Sequence, residues 1–208
     1  MFDFLALITN KHYWKLHSII IKFIMKLYGI KIGNNFYIEG VPKLKVKGKA
    51  ENITIGDNVS IFGNIDLRNR ENGKIIIENN VSFDNDVRLV SAREGTIKIG
   101  ANSTIGCYTI MNGGGNILIG KKNLFAKNIS INANDHKYDR DKYIRDQGFI
   151  QKDVIIGDDV WLGANVCVNK GVVVNNGSII SANAVVTKNT DEYSINVGLP
   201  AKKITQRV

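Results

Sequence analysis

One histidine of this chain lies in a strongly polar segment that also contains carboxylates and basic side chains. His136 follows Asp135 and precedes Asp139 in the string from Asn134 to Arg140. A neutral imidazole, with an unperturbed pKa of about 6.5, can accept a proton near neutral pH, and a carboxylate beside it can fix its tautomer. We interpret His136 as a candidate general base. Asp135 or Asp139 would orient it, and the equal alternative is that both carboxylates simply solvate a loop.

The other histidines and the two cysteines indicate less specific chemistry. His12 and His17 belong to a segment with helical spacing, where we expect surface or packing roles. Cys107 and Cys167 do not make a disulfide framework, which favours a reducing compartment, so we expect a cytoplasmic protein. Lysines interrupt the apolar runs near the start of the chain, and we expect neither a standard secretion signal nor a membrane span.

The charge of the chain narrows its partners only partly. The 208 residues carry a formal net charge of +9 with 44% hydrophobic content, which suits one globular domain and a short appendage. Positive charge favours nucleic acid, acidic lipid, acidic polysaccharide or a phosphorylated cofactor. Only the net charge supports nucleic acid, so we expect no nucleic-acid partner.

The element that must position His136 is built from a repeat of six residues. Aliphatic side chains recur at every sixth position from Ile156 to Val186, and small or aliphatic residues precede most of them by two. Residues two apart on a strand face the same side, so each pair predicts a short strand with one inward face. Three such strands per turn wind a triangular prism, a parallel β-solenoid that buries a column of aliphatics.

A recurring opening of aliphatic, any residue, aliphatic and usually glycine marks the successive coils. Its fourth positions are residues 33, 56, 78, 100, 120, 157 and 175. Their spacing varies because several coils carry insertions after the third inward-facing aliphatic, which predicts a ridge along one corner of the prism. The longest insertion, about residues 132–153, contains His136. Long loops in compact domains are usually functional.

The N-terminal residues 4–28 show helical spacing of apolar side chains with Lys and His between them. We predict a helical segment over residues 1–29 and a β-helix domain over residues 30–204. The helix is expected to cap the open end of the prism or to pack on a neighbouring subunit, because unpaired strand edges invite aggregation. The alternative is a basic amphipathic helix on a membrane surface, which would place the protein at the inner face of the membrane.

The C-terminal coils carry a resemblance to a known family. The segment IIGDDVWLGANVCVNKGVVVNNGSIISANAVVTKNT, followed by VGLPAKKI, resembles the last coils of the hexapeptide-repeat O-acetyltransferases. The likeness extends from about Ile30 onward, and the Asp135-His136 loop is similar to the branch that acetylates sugars of capsule, O-antigen, exopolysaccharide and related polymers. The resemblance implies a left-handed β-helix, a homotrimer, and acetyl-CoA bound between adjacent prisms. Handedness rests on this resemblance, since the general crossover rule favours the right hand.

The resemblance also implies roles for individual residues. His136 matches the general base that deprotonates a sugar hydroxyl as it attacks the thioester. Backbone N–H groups of Gly163 or Ala164 match an oxyanion site. Trp161 matches a tryptophan beside the acetyl channel, with subunit packing as the alternative. The positions that match coenzyme A contacts are Ala164, Ala182, Thr187 and Lys188, with Lys202 and Lys203 as further phosphate ligands. Solvated surface charge is the competing account of these lysines.

On the acceptor side, the chain departs from the family pattern. Galactoside and maltose acetyltransferases carry an acceptor-binding asparagine one coil before the histidine, whereas Cys107 occupies roughly that register here, with Asn112 nearby. We therefore expect a small-molecule or oligosaccharide acceptor other than a simple galactoside. Basic residues of the ridge, among them Arg93 and Arg140, favour an acidic sugar, with scattered surface charge as the equal alternative. The whole basic set is Arg68, Arg70, Arg93, Lys137, Arg140, Lys142 and Arg145.

Other functions share this architecture. The γ-type carbonic anhydrases resemble it but need three histidine zinc ligands, which His136 alone does not supply, so we expect no metal cofactor. Xenobiotic acetyltransferases share the histidine, the loop and the tryptophan coil, and they stay a close alternative. Serine acetyltransferases have an extensive helical N-terminal domain that we do not expect here. A non-catalytic scaffold would leave the coincidence of the histidine loop and the coenzyme A positions unexplained.

Overall fold

A computed structural model describes Leu7, Thr9 and residues 12–208 of the chain. Its body is a parallel β-solenoid in which each of seven coils contributes one strand to each of three sheets, called here sheets A, B and C. This confirms the predicted fold class, an all-β solenoid with an N-terminal helix and one long inserted loop, and it is consistent with a left-handed β-helix. The remaining N-terminal residues of the predicted helical segment lie outside the described residues.

The strands are short, and every sheet stacks one strand from each coil. Sheet A contains β1 (Lys31–Ile32), β4 (Ile53–Ile55), β7 (Lys74–Ile77), β10 (Thr96–Ile99), β13 (Ile117–Ile119), β18 (Val154–Ile156) and β21 (Val173–Val174). Sheet B contains β2 (Tyr37–Ile38), β5 (Ser60–Ile61), β8 (Ser82–Phe83), β11 (Thr104–Ile105), β14 (Leu124–Phe125), β19 (Trp161–Leu162), β22 (Ile179–Ile180), β24 (Ser194–Val197) and β25 (Lys202–Gln206). Sheet C contains β3 (Pro42–Val46), β6 (Ile65–Asn69), β9 (Val87–Ser91), β12 (Ile110–Asn112), β15 (Ser130–Asn132), β20 (Cys167–Val168) and β23 (Val185–Val186).

Vertical register places like residues on like in the core. In sheet C, Leu67, Leu89, Met111 and Ile131 pair as direct neighbours, and all four are fully buried. They are the aliphatics after which the insertions were predicted, and the chain leaves β6, β9, β12 and β15 at the same corner, between sheets C and A. Burying an aliphatic side chain stabilises a fold by roughly 1.5–3 kcal/mol, so this column contributes substantially to the cohesion of the solenoid.

Asparagine ladders close the corners of the prism. At the corner between sheets A and B, Asn58 Nδ2 donates to Asn80 Oδ1 at 2.9 Å, and Asn80 Nδ2 donates to Asn102 Oδ1 at 3.1 Å. These residues have positive φ angles of 56° to 62°, a conformation that asparagine tolerates better than most side chains. The same residue type therefore turns the backbone and bonds successive coils together.

The helix α1 (His12–Leu27) covers the first coil. The Ser18 hydroxyl accepts a hydrogen bond from the Ile38 N–H at 2.8 Å and donates to the Trp14 carbonyl at 2.7 Å, while Met25 is buried against the core. Since Ile38 lies on β2, the edge strand of sheet B, the helix satisfies a backbone group that would otherwise be unpaired. Within the described residues no helix is both long and apolar enough to span a membrane.

The long insertion lies between β15, which ends at Asn132, and β18, which begins at Val154. It contains an antiparallel hairpin of β16 (Asn134–His136) and β17 (Phe149–Gln151), joined through a 3-10 helix at Ile144–Asp146. A second 3-10 helix, Ala50–Asn52, precedes β4. At the other end of the solenoid, β25 pairs antiparallel with β24.

Candidate functional site

The hairpin presents His136 at its outer surface. His136 pairs directly with Phe149 across the two strands, and the two rings lie with centroids 4.5 Å apart at an angle of 40°. The imidazole is exposed and makes no hydrogen bond to any residue that the structure describes. A ring packed on one face and free at both nitrogens is able to exchange a proton with a ligand.

The two aspartates that the sequence places beside His136 form bonds elsewhere, Asp135 through its carboxylate and Asp139 through its backbone. Asp135 forms an ion pair with Lys170, which belongs to the next coil. Asp139 takes part in the turn of the hairpin, where its backbone N–H donates to Gln147 Oε1 at 2.5 Å and its carbonyl accepts from Gln147 Nε2 at 2.8 Å. Neither carboxylate forms a hydrogen bond or ion pair with the imidazole, and the described ring that packs against His136 is that of Phe149.

The base of the hairpin is fixed to the coils on both sides. Asp153 accepts hydrogen bonds from the backbone and side-chain nitrogens of Asn116 at 2.8 and 2.9 Å, in the preceding coil. Its own carbonyl accepts from the Gly171 N–H at 3.1 Å, in the following coil. Together with the Asp135–Lys170 pair, these bonds hold the histidine strand in a defined position against the prism.

A cleft of about 430 Å³, called here the arginine cleft, lies between the hairpin and the ridge of shorter insertions. Basic side chains line it together with polar and aromatic groups, and Phe149 is part of its wall. The lining residues are Arg68, Arg70, Glu71, Arg88, Val90, Ala92, Arg93, Ile110, Asn112, Gly113, Gly114, Asn134, Phe149 and Gln151. The volume lies in the range of small-molecule sites.

One carboxylate organises two of these arginines. Asp66 Oδ1 accepts from Arg68 Nε at 2.8 Å, and Asp66 Oδ2 accepts from Arg68 at 2.5 Å and from Arg88 Nε at 3.2 Å. Burial of Asp66 raises its pKa, but the hydrogen bond from Arg68 and the charges of Arg68, Arg88 and Lys43 outweigh that effect and lower it. Asp66 is therefore ionised and fixes the positions of both guanidinium groups.

Arg93 connects the cleft to the histidine strand. Its guanidinium lies over the Phe149 ring at 5.0 Å, on the residue that also packs against His136. The Arg93 backbone N–H donates to Glu71 Oε2 at 2.5 Å. The Glu71 carboxylate therefore bonds the backbone of Arg93 and not its guanidinium. Neither Arg70 nor Arg93 forms a side-chain ion pair with a described carboxylate. The cleft therefore has an excess of positive charge close to the imidazole.

Gly163 and Ala164 lie in the turn between β19 and β20, at the corner between sheets B and C. The Gly163 N–H donates to the Ile180 carbonyl at 2.7 Å and is not available to a ligand. The Ala164 N–H has no partner among the described residues, and one coil later the same holds for Ala182. Asn165 has a φ of 62°, as the third residue of a type II turn does. Of the two proposed oxyanion donors, only Ala164 has a free N–H.

The remaining coenzyme A positions occupy two other places. Thr187 and Lys188 follow β23 at the corner between sheets C and A, two coils beyond the hairpin, and both are exposed. Trp161 lies on the outer face of sheet B, 48% exposed, between Leu124 and Ile179. At the end of the chain, Lys203 pairs with Asp191 at 2.8 Å, whereas the neighbouring Lys202 is exposed on β25 and forms no ion pair with a described residue.

The acceptor candidates separate in the structure. Asn112 and Arg93 line the arginine cleft, whereas Arg140 is exposed in the insertion away from the cleft wall. Cys107 lies at the corner between sheets B and C, where its carbonyl accepts from the Asn128 N–H at 2.7 Å, and it does not line the cleft. Lys137, Lys142 and Arg145 likewise lie in the exposed insertion outside that wall.

Both cysteines are free and half-buried. Burial raises the pKa of the Cys167 thiol.

Across residues 12–208, no three His, Cys, Asp or Glu side chains are grouped so that they could hold a metal ion.

Three residues that sequence reasoning did not single out complete the site: Arg88, Phe149 and Gln151. Arg88 follows Asp66 by 22 residues, which is the length of one coil in this region. This spacing places the two residues side by side in adjacent coils, so their pairing could have been predicted from the sequence. Phe149 and Gln151 had no such signal, since their places depend on hairpin pairing outside the six-residue pattern.

Comparison with known proteins agrees with this architecture. Residues 153–188 match the family model described as bacterial transferase hexapeptide (six repeats). No curated protein matches the chain in sequence. The chain therefore carries the hexapeptide repeat of bacterial transferases, and the predicted resemblance is confirmed.

Solved structures with the same fold include acyltransferases. A mutant of AntD, an N-acyltransferase from Bacillus cereus in complex with dTDP-4-amino-4,6-dideoxyglucose and coenzyme A, is 20% identical, with 90% of this chain and 89% of that chain covered and a TM-score of 0.59. The polysialic acid O-acetyltransferase OatWY is 24% identical, with 84% and 88% covered and a TM-score of 0.56. The polySia-specific acetyltransferase NeuO is also 24% identical, with 85% of each chain covered and a TM-score of 0.52. The chain has the fold of acyltransferases.

Proposed function

We propose that this protein is an acetyl-CoA-dependent O-acetyltransferase that modifies a sugar hydroxyl in the biosynthesis of a surface polysaccharide. The observation that carries the proposal is the exposed His136 imidazole, held on an anchored hairpin beside a basic cleft, on a fold shared with sugar acyltransferases. AntD has been crystallised with a sugar nucleotide and coenzyme A, OatWY is a polysialic acid O-acetyltransferase, and NeuO is a polySia-specific acetyltransferase.

His136 would act as the general base in this reaction. It takes the proton of the acceptor hydroxyl while the hydroxyl oxygen attacks the thioester carbonyl carbon, and the proton then passes to the departing thiolate sulfur. The Ala164 N–H, which has no partner in the described chain, would donate to the carbonyl oxygen as negative charge develops there. Phe149 would restrict the orientation of the imidazole by packing against one face of the ring. The sequence-based expectation was different: that Asp135 or Asp139 fixes the tautomer, or that both simply solvate the loop.

The residues at the candidate coenzyme A positions fit such a co-substrate. Ala164 and Ala182 have small side chains at one corner, and both N–H groups are unused by the described chain. Lys188 and Lys202 are exposed cations without an ion pair to any described side chain, and a lysine ammonium suits a phosphate group. These positions would hold the pantetheine along the corner and the phosphates near the end of the prism.

The working unit would be a homotrimer. Ala164 and His136 lie at different corners of one prism, separated by the width of sheet C, which we estimate at about 15–20 Å from the rise of a strand. Reacting groups must approach to about 3 Å, so the Ala164 corner of one protomer would meet the hairpin of its neighbour. Exposed Leu124 and Trp161, neighbours on sheet B, offer apolar surface for such a contact.

The proposed location is the cytoplasm, at the inner face of the membrane. Free thiols such as Cys107 and Cys167 persist in reducing compartments. The face of α1 that points away from the solenoid exposes Leu16, Ile19, Ile20, Phe23, Ile24 and Leu27, called here the outer face of α1. With Lys15, Lys22 and Lys26 on the same helix, this face suits peripheral contact with an acidic membrane.

The test of the function is thiol release from acetyl-CoA with a panel of acceptor sugars. Replacing His136 by alanine is expected to lower the rate on the order of 10²- to 10⁴-fold, because the attacking hydroxyl loses its proton acceptor. The matched control is His12→Ala, which removes a histidine of α1 and should leave the rate unchanged.

Three results would contradict this proposal in different ways. If the His136→Ala variant kept its full activity, His136 would not be the general base. Acetylation of an antibiotic but of no sugar would favour the xenobiotic alternative. Failure of acetyl-CoA to bind at millimolar concentration, measured by calorimetry on the same preparation, would favour a non-catalytic scaffold.

A further inference from the structure

We propose that the arginine cleft binds an anionic group of the acceptor, a carboxylate or a phosphate carried by the sugar, beside the hydroxyl presented to His136. This inference rests on the proposed function, because it names the class of acceptor for the same site. Phe149 is the structural link: one ring contacts both the Arg93 guanidinium, at 5.0 Å, and the imidazole, at 4.5 Å.

The position of the cleft assigns it to the acceptor. The hairpin divides the corner between sheets C and A into two parts. The cleft arginines belong to β6 and β9 or to the turns after them, in coils that precede the hairpin. The coenzyme A positions at Ala164, Ala182 and Lys188 belong to coils that follow it. An anion in the arginine cleft would therefore lie on the opposite side of His136 from the phosphates of coenzyme A.

The cleft carries more positive than negative charge, since four arginines face the carboxylates of Asp66 and Glu71. Asp66 offsets part of the charge of Arg68 and Arg88, with which it pairs at 2.5 and 3.2 Å. Arg70 and Arg93 form no side-chain ion pair with a described residue. A guanidinium has five donors in a planar fork that fits a carboxylate or a phosphate in a bidentate way. Arg70 and Arg93 are thus the groups available to such a ligand.

The neighbouring arginines keep this arrangement rigid. The Asp66 bonds fix Arg68 and Arg88 in place, and the Arg93 backbone is tied to Glu71. Gln151 also lies against Arg93: its side-chain oxygen, in the amide orientation that satisfies both groups, accepts from Arg93 Nε at 3.2 Å. A site that is ordered before the ligand arrives loses less entropy on binding.

The experiment measures binding separately from catalysis. Glucuronate, its neutral isostere glucuronamide, and uridine diphosphate are titrated into the full chain by saturation-transfer NMR. We expect glucuronate or uridine diphosphate to bind, and Arg93→Asn and Arg70→Gln each to weaken that binding about 10- to 100-fold, as the loss of a charged hydrogen bond does. Asparagine is chosen at position 93 because the backbone there has a φ of 58°.

The matched control is Lys121→Gln, which removes one exposed positive charge at the corner between sheets A and B, across sheet A from the cleft. It should change binding less than about 2-fold, since exposed charges beyond a Debye length are screened. Preference for glucuronate over glucuronamide identifies a carboxylate as the ligand group, and binding of uridine diphosphate alone identifies a phosphate. Equal binding of glucuronate and glucuronamide without binding of uridine diphosphate overturns the inference, as does unchanged binding in both arginine variants.

Failure of this inference differs from failure of the proposed function. If neutral sugars release thiol from acetyl-CoA and Arg93→Asn and Arg70→Gln leave that rate unchanged, the transferase stands and the anionic acceptor is excluded. If the anions bind as expected but no acceptor releases thiol and acetyl-CoA does not bind, the cleft stands and the transferase is excluded.

Discussion

Asp66 determines the arrangement of two arginines in the cleft, and its ionisation is linked to folding. Its folded-state pKa is lowered because the bonds and charges of Arg68 and Arg88 outweigh the effect of burial. A carboxylate whose pKa is lower in the folded than in the unfolded state stabilises the fold above its unfolded pKa, about 3.9. That contribution is lost as the pH falls through the folded pKa.

We therefore expect Asp66→Asn to have a lower free energy of unfolding than the wild type at pH 7, and the difference to shrink below about pH 4. Urea denaturation at pH 7, 5 and 3 measures it. Asp141→Asn, in the exposed insertion, is the control and should match the wild type at each pH. A difference for Asp66→Asn that stays constant down to pH 3 would show that ionisation is not its cause.

Single residues of the site were predictable to different degrees. His136 was identifiable because it is the one histidine within the predicted solenoid and lies in its long insertion. Which of Gly163 and Ala164 has a free N–H could be decided only from the hydrogen bonds between coils, because the Gly163 N–H donates to the Ile180 carbonyl of the next coil. The ion-pair partner of Asp135 could not be predicted from the sequence either. Lys170 belongs to another coil, and the path of the inserted chain determines which residue of that coil Asp135 reaches.

At the scale of elements, α1 has two faces with different roles. Ser18 and Met25 lie on the side that contacts the first coil, whereas every residue of the outer face is at least half exposed. This arrangement satisfies the strand edge and leaves an apolar stripe bordered by lysines. An interfacial helix binds lipid through the area of its apolar face and through attraction of its cations to anionic headgroups.

The outer face of α1 is expected to bind vesicles that contain phosphatidylglycerol more strongly than vesicles of phosphatidylcholine alone. Replacing Phe23 by aspartate should abolish flotation with the vesicles, because it puts a carboxylate into the apolar face. Replacing Lys22 by glutamine should weaken binding roughly 5-fold, the effect of about 1 kcal/mol per basic residue. Lys74→Gln, on the solenoid, is the control. Equal flotation of the wild type and Phe23→Asp would exclude the helix as the membrane contact.

The elements themselves were predictable wherever the six-residue period is clean. The aliphatic column from Ile53 through Ile75 and Ile97 has the predicted register, because side chains two apart on a strand must share a face. The β16–β17 hairpin was not predicted, since the six-residue period stops at Asn132 and each of its strands has only three residues, too few to show alternation. The asparagine ladders at the corners were also not predicted, because the sequence analysis followed only the spacing of aliphatic residues.

For the whole molecule, the separation of corners decides how the site is assembled. Within one prism, the hairpin with His136 belongs to the corner between sheets C and A, and Ala164 belongs to the corner between sheets B and C. The hairpin is anchored to its own prism by Asp153 and by the Asp135–Lys170 pair, so it does not reach across sheet C. Each reaction centre of the proposed transferase would then combine His136 of one protomer with Ala164 of its neighbour.

This assembly predicts that two inactive variants restore activity when they share an oligomer. Ala164→Pro removes the free N–H at the second position of a type II turn, which accepts proline, and should lower kcat on the order of 10²- to 10³-fold. The control Lys127→Pro makes the same change in the equivalent turn one coil earlier, before Asn128 with a φ of 63°, and should stay active. His136→Ala supplies the complementary defect.

Co-expressing His136→Ala and Ala164→Pro with different tags, and purifying through both tags, selects mixed oligomers. In a cyclic trimer of either composition, one of the three interfaces pairs an intact histidine with an intact turn, so the mixed species should regain about one third of the wild-type rate. Each variant alone should remain inactive. If the mixed species is as inactive as its parents, His136 and Ala164 act within the same protomer or not at all, and a monomer in light scattering would exclude the shared site directly.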